Sequence, residues 1–357
     1  MTKSLADRGA DESNCSVSLI VPMRNEERNV RDWITAAAAQ THPAIDVIVA
    51  DDSSTDDTYK LALAAAARDP RVQVIGCLPP PAGWVGKPWA AYCGATASAS
   101  RWLLFSDADI RMAPETVGSA LAAARAQSAD VVSLTATLEA RGLWETIVLP
   151  AMASLIATGY PMFLIHSDRS AVALVWGAFI LVRRDAYFRC GGHAAVRGEI
   201  AEDRALAQRL KAFGYRIRLF DGSSIASVRM YHGFAEMWEG WRKNLYDGAR
   251  RNPVYAALFV MAAIAALVLP LPLLGYLLVV RAARRWSRGQ GVLAVLCGLA
   301  AVCAICVRRL RDPAVGAPPS AALGTPLAGA YIAAVMAASA WRCLSGRGQT
   351  WKGRTIT

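Results

Sequence analysis

Residues 103–112 read LLFSDADIRM. The apolar run Leu103-Leu104-Phe105 has the composition of a buried strand, and it ends on two carboxylates one residue apart, Asp107 and Asp109. Two anions side by side at a strand end repel each other unless a cation is shared between them. Carboxylate oxygens are hard ligands, and one or two of them typically hold Mg2+ or Mn2+ together with substrate phosphates. D-x-D by itself is a weak signal, because a solvated turn after a strand has the same composition. The surrounding chain decides what the pair is for.

Upstream, one rhythm occurs twice. VSLIVPMRNEERNV (17–30) is a buried strand over 17–21, a loop, and a helix running past Ala36. IDVIVADDSSTDDTYK (45–60) repeats it, with an Asp/Ser/Thr cluster able to cap the following helix. Strand then helix, twice over, implies parallel pairing and an α/β fold. A shorter strand over 72–75, the Pro/Gly loop LPPPAGWVGKPWA (78–90) and a helix over 90–99 lead back to the opening strand. In open parallel sheets ligands collect at the carboxyl ends of the strands, where Asp51, Asp52, Asp107 and Asp109 all fall. Within the loop, Gly83 and Gly86 give mobility and Lys87 supplies a cation for a diphosphate. The spacing is not that of a P-loop.

A further pair of acids stands in GEIAEDRALAQRLKAFGYRIR (198–218), where Glu202 and Asp203 precede a helix with apolar Leu206, Leu210 and Phe213. Acids there serve either as partners of the helix dipole or as a general base for transfer to a hydroxyl. His193, in GGH, is either an ordinary loop histidine or one that orients an acceptor or phosphate.

The 357 residues are 54% hydrophobic with a formal net charge of +11, too apolar for an ordinary soluble protein. The excess lies after Pro253, in stretches 254–280, 292–306 and 321–340, each near the roughly 20 residues of a spanning helix. Arg250, Arg251, Arg281, Arg284, Arg285, Arg288, Arg308, Arg309 and Arg311 flank these runs, as expected for groups facing anionic headgroups rather than nucleic acid. If 254–280 spans simply, the arginines of RAARRWSR (281–288) land outside, against the positive-inside tendency; the PLP at 270–272 allows a re-entrant hairpin instead. In GFAEMWEGWRKNLYDGARRN (233–252), Phe234, Met237, Trp238, Trp241 and Leu245 share a helical face, read as a helix in the membrane interface, with an ordinary core helix as the other reading. Residues 1–14 are polar and lack the apolar core of a signal peptide, so the α/β part is expected in the cytosol. The eight cysteines show no paired spacing and are expected reduced, without a metal cluster. The expected organisation is a flexible 1–16, an α/β domain over 17–232, an interfacial helix over 233–253, a membrane region over 254–345 and a basic tail over 346–357.

Together VSLIVPMRNEE, VIVADDSSTDDT, GWVGKPWA, LLFSDADI, GGH and EIAEDRALAQRL resemble the family-2 glycosyltransferases with a GT-A fold, over most of 17–250. GWVGKPWA, the segment 177–217 and RMYHGFAEMWEGWRKNLYDG are similar to bacterial enzymes that glycosylate carotenoid acids of the 4,4'-diaponeurosporenoate type or related isoprenoid lipids, with hopanoid-associated homologues nearby. The resemblance implies that Asp51 contacts the nucleobase with Pro22 and Arg24 near, and that Asp52 and Lys87 belong to the nucleotide-sugar site. It implies that Asp107 and Asp109 engage ribose, diphosphate and a divalent metal, Mg2+ or Mn2+, and that Asp203 is the base with Glu202 beside it. The implied reaction is inverting transfer of one hexose, from a donor such as UDP-glucose, to a lipid acceptor in the bacterial inner membrane, by a multi-pass protein with its catalytic domain in the cytoplasm. A polyprenyl-phosphate or sphingolipid-like acceptor, and a non-catalytic nucleotide-sugar-binding protein, are the other readings. Processive members carry Q-x-x-R-W, whereas this chain reads Glu239-Gly-Trp-Arg242-Lys243; Arg242 remains in place for a phosphate, and the departure argues against threading a polysaccharide.

Overall fold

The computed structural model describes residues 15–283, 287–352 and 354–356. Of the segment 1–16 expected to be flexible, residues 1–14 lie outside the described residues, as do the arginines 284 and 285, while Cys15 is buried. Those residues fall into two compact units, one ending at Thr137 and resuming over Tyr160–Val228, the other made of Leu138–Gly159 and the chain from Arg229 onward.

In the first unit, strand β1 (Val17–Met23) is buried at all but one position, as befits a strand covered on both faces. Helix α1 (Val30–Ala38), β2 (Ile45–Asp51), α2 (Thr58–Ala66), β3 (Val72–Gly76), α3 (Gly86–Ala97), β4 (Trp102–Ser106), β5 (Ile110–Met112), α4 (Thr116–Ala126) and β6 (Val131–Thr135) follow. The chain then gives α5 (Leu143–Gly159) to the second unit and returns with α6 (Met162–His166), β7 (Phe179–Arg183), α7 (Arg184–Arg189), α8 (Glu202–Ala212), β8 (Ile217–Asp221) and β9 (Ala226–Val228). Seven strands form one sheet in the order β3-β2-β1-β4-β7-β6-β8. All pair in parallel except β7, which runs antiparallel to both β4 and β6. The order reverses at β1, between β2 and β4, which is the switch point where such sheets open a crevice.

Ile20, Leu103, Phe105, Ile180, Val182, Leu206 and Leu210 belong to one buried cluster that joins sheet and helices. Helix α3 lies so close to the sheet that a Cβ on Gly94 would stand 2.4 Å from Ile20 Cγ2. Two expectations are corrected here. The helix begins at Gly86 rather than near Ala90, because Pro88 fits a first turn, whose amide hydrogens lack partners anyway; Lys87 is therefore a helix residue and not part of a mobile loop. Phe213, read as an apolar residue of the helix after Asp203, instead lies one residue beyond α8 and is 52% exposed.

The second unit contains α5, which has Pro150 inside it, α9 (Phe234–Gly248), α10 (Pro253–Ala263), α11 (Pro270–Ala283), α12 (Arg288–Arg311) and α13 (Thr325–Leu344). Arg288–Val315 and Pro319–Leu344 are long and apolar enough to cross a membrane. Stretch 254–280 is neither one straight helix nor a tight hairpin: Pro253–Val268 and Pro270–Ala283 meet at a 48° bend, preceded by a short wide-turn segment over Ile264–Val268. Helix α12 leaves Val292, Val295, Leu296, Leu299 and Val302 exposed, a row that water would penalise and a bilayer would not. Its Arg308 and Asp312 pair at 2.9 Å while almost fully buried, and Arg308 also donates to the Ile147 carbonyl of α5 at 3.0 Å. Helix α9, expected in the membrane interface, buries Met237, Trp241 and Tyr246 and packs Tyr246 with Ala256, Met336 and Ala340. The segment expected as a basic tail forms a two-stranded hairpin, Gln349–Trp351 with Arg354–Ile356.

Gly94→Ala is expected to destabilise the first unit by about 1–3 kcal/mol through overpacking against Ile20, although alanine is the better helix former by about 1 kcal/mol. A urea midpoint equal to or above wild type would show that Ile20 yields without cost.

Candidate active site

Strands β1, β2 and β4 end side by side, and each delivers polar residues to that rim. Pro22 pairs with Ala50 in the last residues of β1 and β2. Asp51 closes β2 and is 4% exposed; its Oδ2 accepts the Ser54 amide at 3.1 Å, while its Oδ1 is buried with no hydrogen-bond partner. A buried carboxylate oxygen left unpaired is costly, and a donor arriving with a ligand would satisfy it. Asp52 is 3% exposed, and its amide donates to the Met23 carbonyl at 2.7 Å. Arg24 donates through Nη1 to the carbonyls of Asp52 at 2.7 Å and Ser53 at 2.8 Å. Its guanidinium thus holds the β2–α2 loop in shape, including Ser53 at φ +53°.

Past β4, Trp33 of α1 donates from Nε1 to Ser106 Oγ at 2.9 Å, which fixes the strand end just before Asp107. Lys87, in the first turn of α3, places Nζ 2.7 Å from Asp107 Oδ1 and 2.7 Å from Glu202 Oε1. One ammonium therefore joins the D-x-D strand end to the N-terminus of α8. Burial works against the Lys87 charge, but Asp107, Glu202 and Asp203 outweigh it and hold its pKa well above the ordinary lysine value. Asp203 follows Glu202 and accepts the Arg204 amide at 2.7 Å. Burial, then the adjacent Glu202 charge, push its pKa up to about 6, with Lys87 and the Arg204 amide pulling the other way. The four expected residues Lys87, Asp107, Glu202 and Asp203 are thus brought together, with Asp109 in the turn between β4 and β5. Arg242 lies in the second unit, on α9, donating from Nη2 to Thr350 Oγ1 at 2.8 Å.

Two further residues shape the site and were not singled out in the sequence. A Cβ on Gly177 would sit 2.9 Å from Asp203 Oδ2, so a larger residue there would push that carboxylate out of its place. The signal was available, since a lone glycine inside an apolar strand pattern marks a close approach. Tyr187 is the other. His193 is no loop surface residue: it is 3% exposed, its amide donates to Tyr187 Oη at 3.1 Å, and that hydroxyl bonds His193 Nδ1 at 2.9 Å. Burial and the Lys87 charge push its pKa down to about 3, so the ring is neutral.

The carboxylate pair fits a divalent cation of the Mg2+ or Mn2+ kind. Asp107 and Asp109 are hard donors one residue apart, and the Asp107 side chain keeps 32% of its surface exposed. Among the described residues no three His, Cys, Asp or Glu side chains cluster as a self-sufficient metal site. The ion would take its remaining ligands from substrate phosphates and water.

The sheet order, its switch point and the acids along that rim define a GT-A-like domain, and a solved structure agrees. Mannosyltransferase PcManGT from Pyrobaculum calidifontis, determined with GDP-Man and Mn2+, matches with a TM-score of 0.54 at 18% identity, covering 94% of this chain and 88% of that one. Residues 18–190 match the model of glycosyl transferase family 2. Curated relatives include 4,4'-diaponeurosporenoate glycosyltransferase of Staphylococcus haemolyticus, 28% identical over 256 residues covering 70% of this chain. The protein of that name from Staphylococcus aureus strain MRSA252 is 27% identical over 239 residues, covering 66% of this chain. The match spans 66% and 62% of those relatives' own lengths.

A divalent cation bound by Asp107 would compete with Lys87 for the same carboxylate oxygen. Lys87→Met is therefore expected to tighten binding of Mn2+ alone, read by the loss of the free-ion electron spin resonance signal, while weakening binding of UDP. Metal affinity that is unchanged or lower in the variant would show that Lys87 does not compete for the ion.

Proposed function

We propose that this protein is a membrane-bound, inverting glycosyltransferase that moves a single hexose, from a donor such as UDP-glucose, onto an isoprenoid-type lipid. The observation that carries the reading is the Lys87 bridge between Asp107 and Glu202, with Asp203 beside it, at the carboxyl ends of the strands. The match of residues 18–190 to the family-2 model and relatives named for a carotenoid acid support the same direction. The apolar helices of the second unit suit a multi-pass protein of the bacterial inner membrane whose acceptor also resides in the bilayer, with the α/β domain on the cytoplasmic side.

In this reading Asp51 Oδ1 accepts a hydrogen bond from the nucleobase, on the floor formed by Pro22 and the loop that Arg24 holds. Asp107 and Asp109 would hold a divalent ion, which would supply positive charge to the leaving diphosphate. Lys87, released from Asp107, turns its ammonium to the same phosphates. Asp203 takes the proton of the acceptor hydroxyl as its oxygen bonds to the anomeric carbon. The bond from that carbon to the phosphate oxygen breaks, its electrons leave with the nucleoside diphosphate, and the configuration inverts. No covalent intermediate with the protein is required.

Because Asp203 titrates near 6 and acts as a base, it must be ionised to work. The transfer rate is expected to rise as pH increases from 5 to 7, with its midpoint near 6, and then level off. Asp203→Asn is expected to lower the rate by about 100- to 10,000-fold and to remove that rise, leaving UDP binding nearly intact. Full transfer activity in the variant would take the base role from Asp203, and absence of transfer from any nucleotide sugar to any lipid would sink the enzyme reading.

A further inference from the structure

We infer that the first unit carries a second ligand site, for a phosphate group, at the end of the sheet opposite the acidic rim, with Arg184 as its bidentate ligand and Arg189 as its second cation. The site goes beyond the proposed reaction and does not depend on it.

A cavity of about 600 Å3 opens at that end, lined by Arg101, Arg183, Arg184 and Arg189, with Asp185 as its one acid and Phe188 as its one ring. That volume is within the usual range of small-ligand sites, roughly 300–1,000 Å3. The topology places the arginines together. Arg101 immediately precedes β4, and Arg183 closes the antiparallel β7, where it pairs with Trp102 at the start of β4. The Arg184 amide donates to the Arg101 carbonyl at 2.9 Å, which ties the two arginine-bearing turns to each other. Arg101 and Asp107 flank β4 at opposite ends, so roughly 20 Å of extended chain separates this cavity from the D-x-D pair. The cavity is therefore no extension of the nucleotide-sugar rim.

The arginines divide by what already holds them. Arg183 is matched by carboxylates: its Nε and Nη2 each reach an Asp185 oxygen at 3.2 Å, and its Nη1 stands 3.6 Å from Asp130 Oδ1. The one acid of the cavity is thus engaged. Arg184 donates from Nε to the Ser98 carbonyl at 3.2 Å and lies 4.7 Å over the Phe188 ring. Its two terminal nitrogens hydrogen-bond none of the described residues, and it forms no ion pair among them. Stacking on Phe188 fixes the plane of the guanidinium, which pre-sets its fork for two parallel bonds to an anion. Arg189 hydrogen-bonds the Tyr215 side chain and forms no ion pair among the described residues either. Arg184 and Arg189 therefore bring two positive charges that no carboxylate of the cavity offsets, which suits a phosphate dianion better than a carboxylate monoanion.

The test titrates inorganic pyrophosphate into the full chain in phosphatidylcholine nanodiscs and reads the heat of binding. The buffer is freed of divalent ions, so that no metal can bridge the probe to the acidic rim. Arg184→Met is expected to weaken pyrophosphate binding about ten-fold, consistent with loss of one charge-assisted pair. Arg184→Lys should recover only part of that loss, because the charge returns without the fork. Arg189→Met should weaken binding as well; its side chain is exposed, so it carries the test if the thermal unfolding midpoint shows that Arg184→Met does not fold. Lys87→Met, at the other end of the sheet, should leave pyrophosphate affinity at the wild-type value. Unchanged affinity in both arginine variants would overturn the inference. So would a loss confined to Lys87→Met, since the anion would then sit at the rim. Repeating the titration in phosphatidylglycerol nanodiscs separates two sources of the phosphate. Binding kept there assigns the cavity to a soluble phosphate, and binding displaced in wild type but unaltered in Arg184→Met assigns it to a lipid headgroup; either result supports a phosphate site.

Discussion

A single ammonium group organises the candidate site. Lys87 stands 2.7 Å from both Asp107 and Glu202, and it does so because α3 starts three residues before the sequence pattern becomes apolar. Without that cation, the carboxylates of Asp107, Glu202 and Asp203 would stand together with uncompensated charge. With it, Asp203 is raised only to about 6, which leaves it mostly ionised at neutral pH and still basic enough to take a proton. The neutral state of His193 has the same origin, because burial and the Lys87 charge both oppose a second cation beside Lys87.

Much of this frame was legible in the sequence. The runs at 17–21, 45–50 and 103–105 are mostly apolar, broken only by Ser18 and Asp46, which suits strands of a covered parallel sheet, and the acids that follow them mark the rim. What the sequence hid depends on direction and distance. An apolar run such as Phe179–Arg183 carries no sign of whether it runs parallel or antiparallel, and it proved to be the one reversed strand of the main sheet. Lys87 looked like a loop residue because Gly86 and Pro88 flank it, and both of those residues also suit a helix start. Gly177 and Tyr187 act through the side chains of Asp203 and His193; a lone glycine in an apolar run signals a close approach but not its partner, and nothing around Tyr187 points to His193.

The second unit divides in the same way. Lengths of the apolar stretches were readable, whereas their partners were not. The buried pair Arg308 and Asp312 reads in sequence as one arginine in a basic helix end and one acid before a proline; in the fold it is a closed ion pair that also ties α12 to the α5 carbonyl at Ile147. Buried charges inside apolar helices are expensive and persist only when satisfied in this manner. Helix α9 shows how one amphipathic pattern serves two purposes, since Met237, Trp241 and Tyr246 pack inward while Phe234 and Trp238 line a cavity.

The claim on which the account turns is that the rim of β1, β2 and β4 is a metal-assisted nucleotide-sugar site. Calorimetric titration of UDP into the detergent-solubilised protein, with Mn2+ and then with EDTA, tests it most directly. The account predicts binding that requires the metal and is lost in Asp109→Ala, with Asp51→Ala weakening it independently of metal. UDP binding of equal strength in EDTA, unaffected by Asp109→Ala, would contradict it.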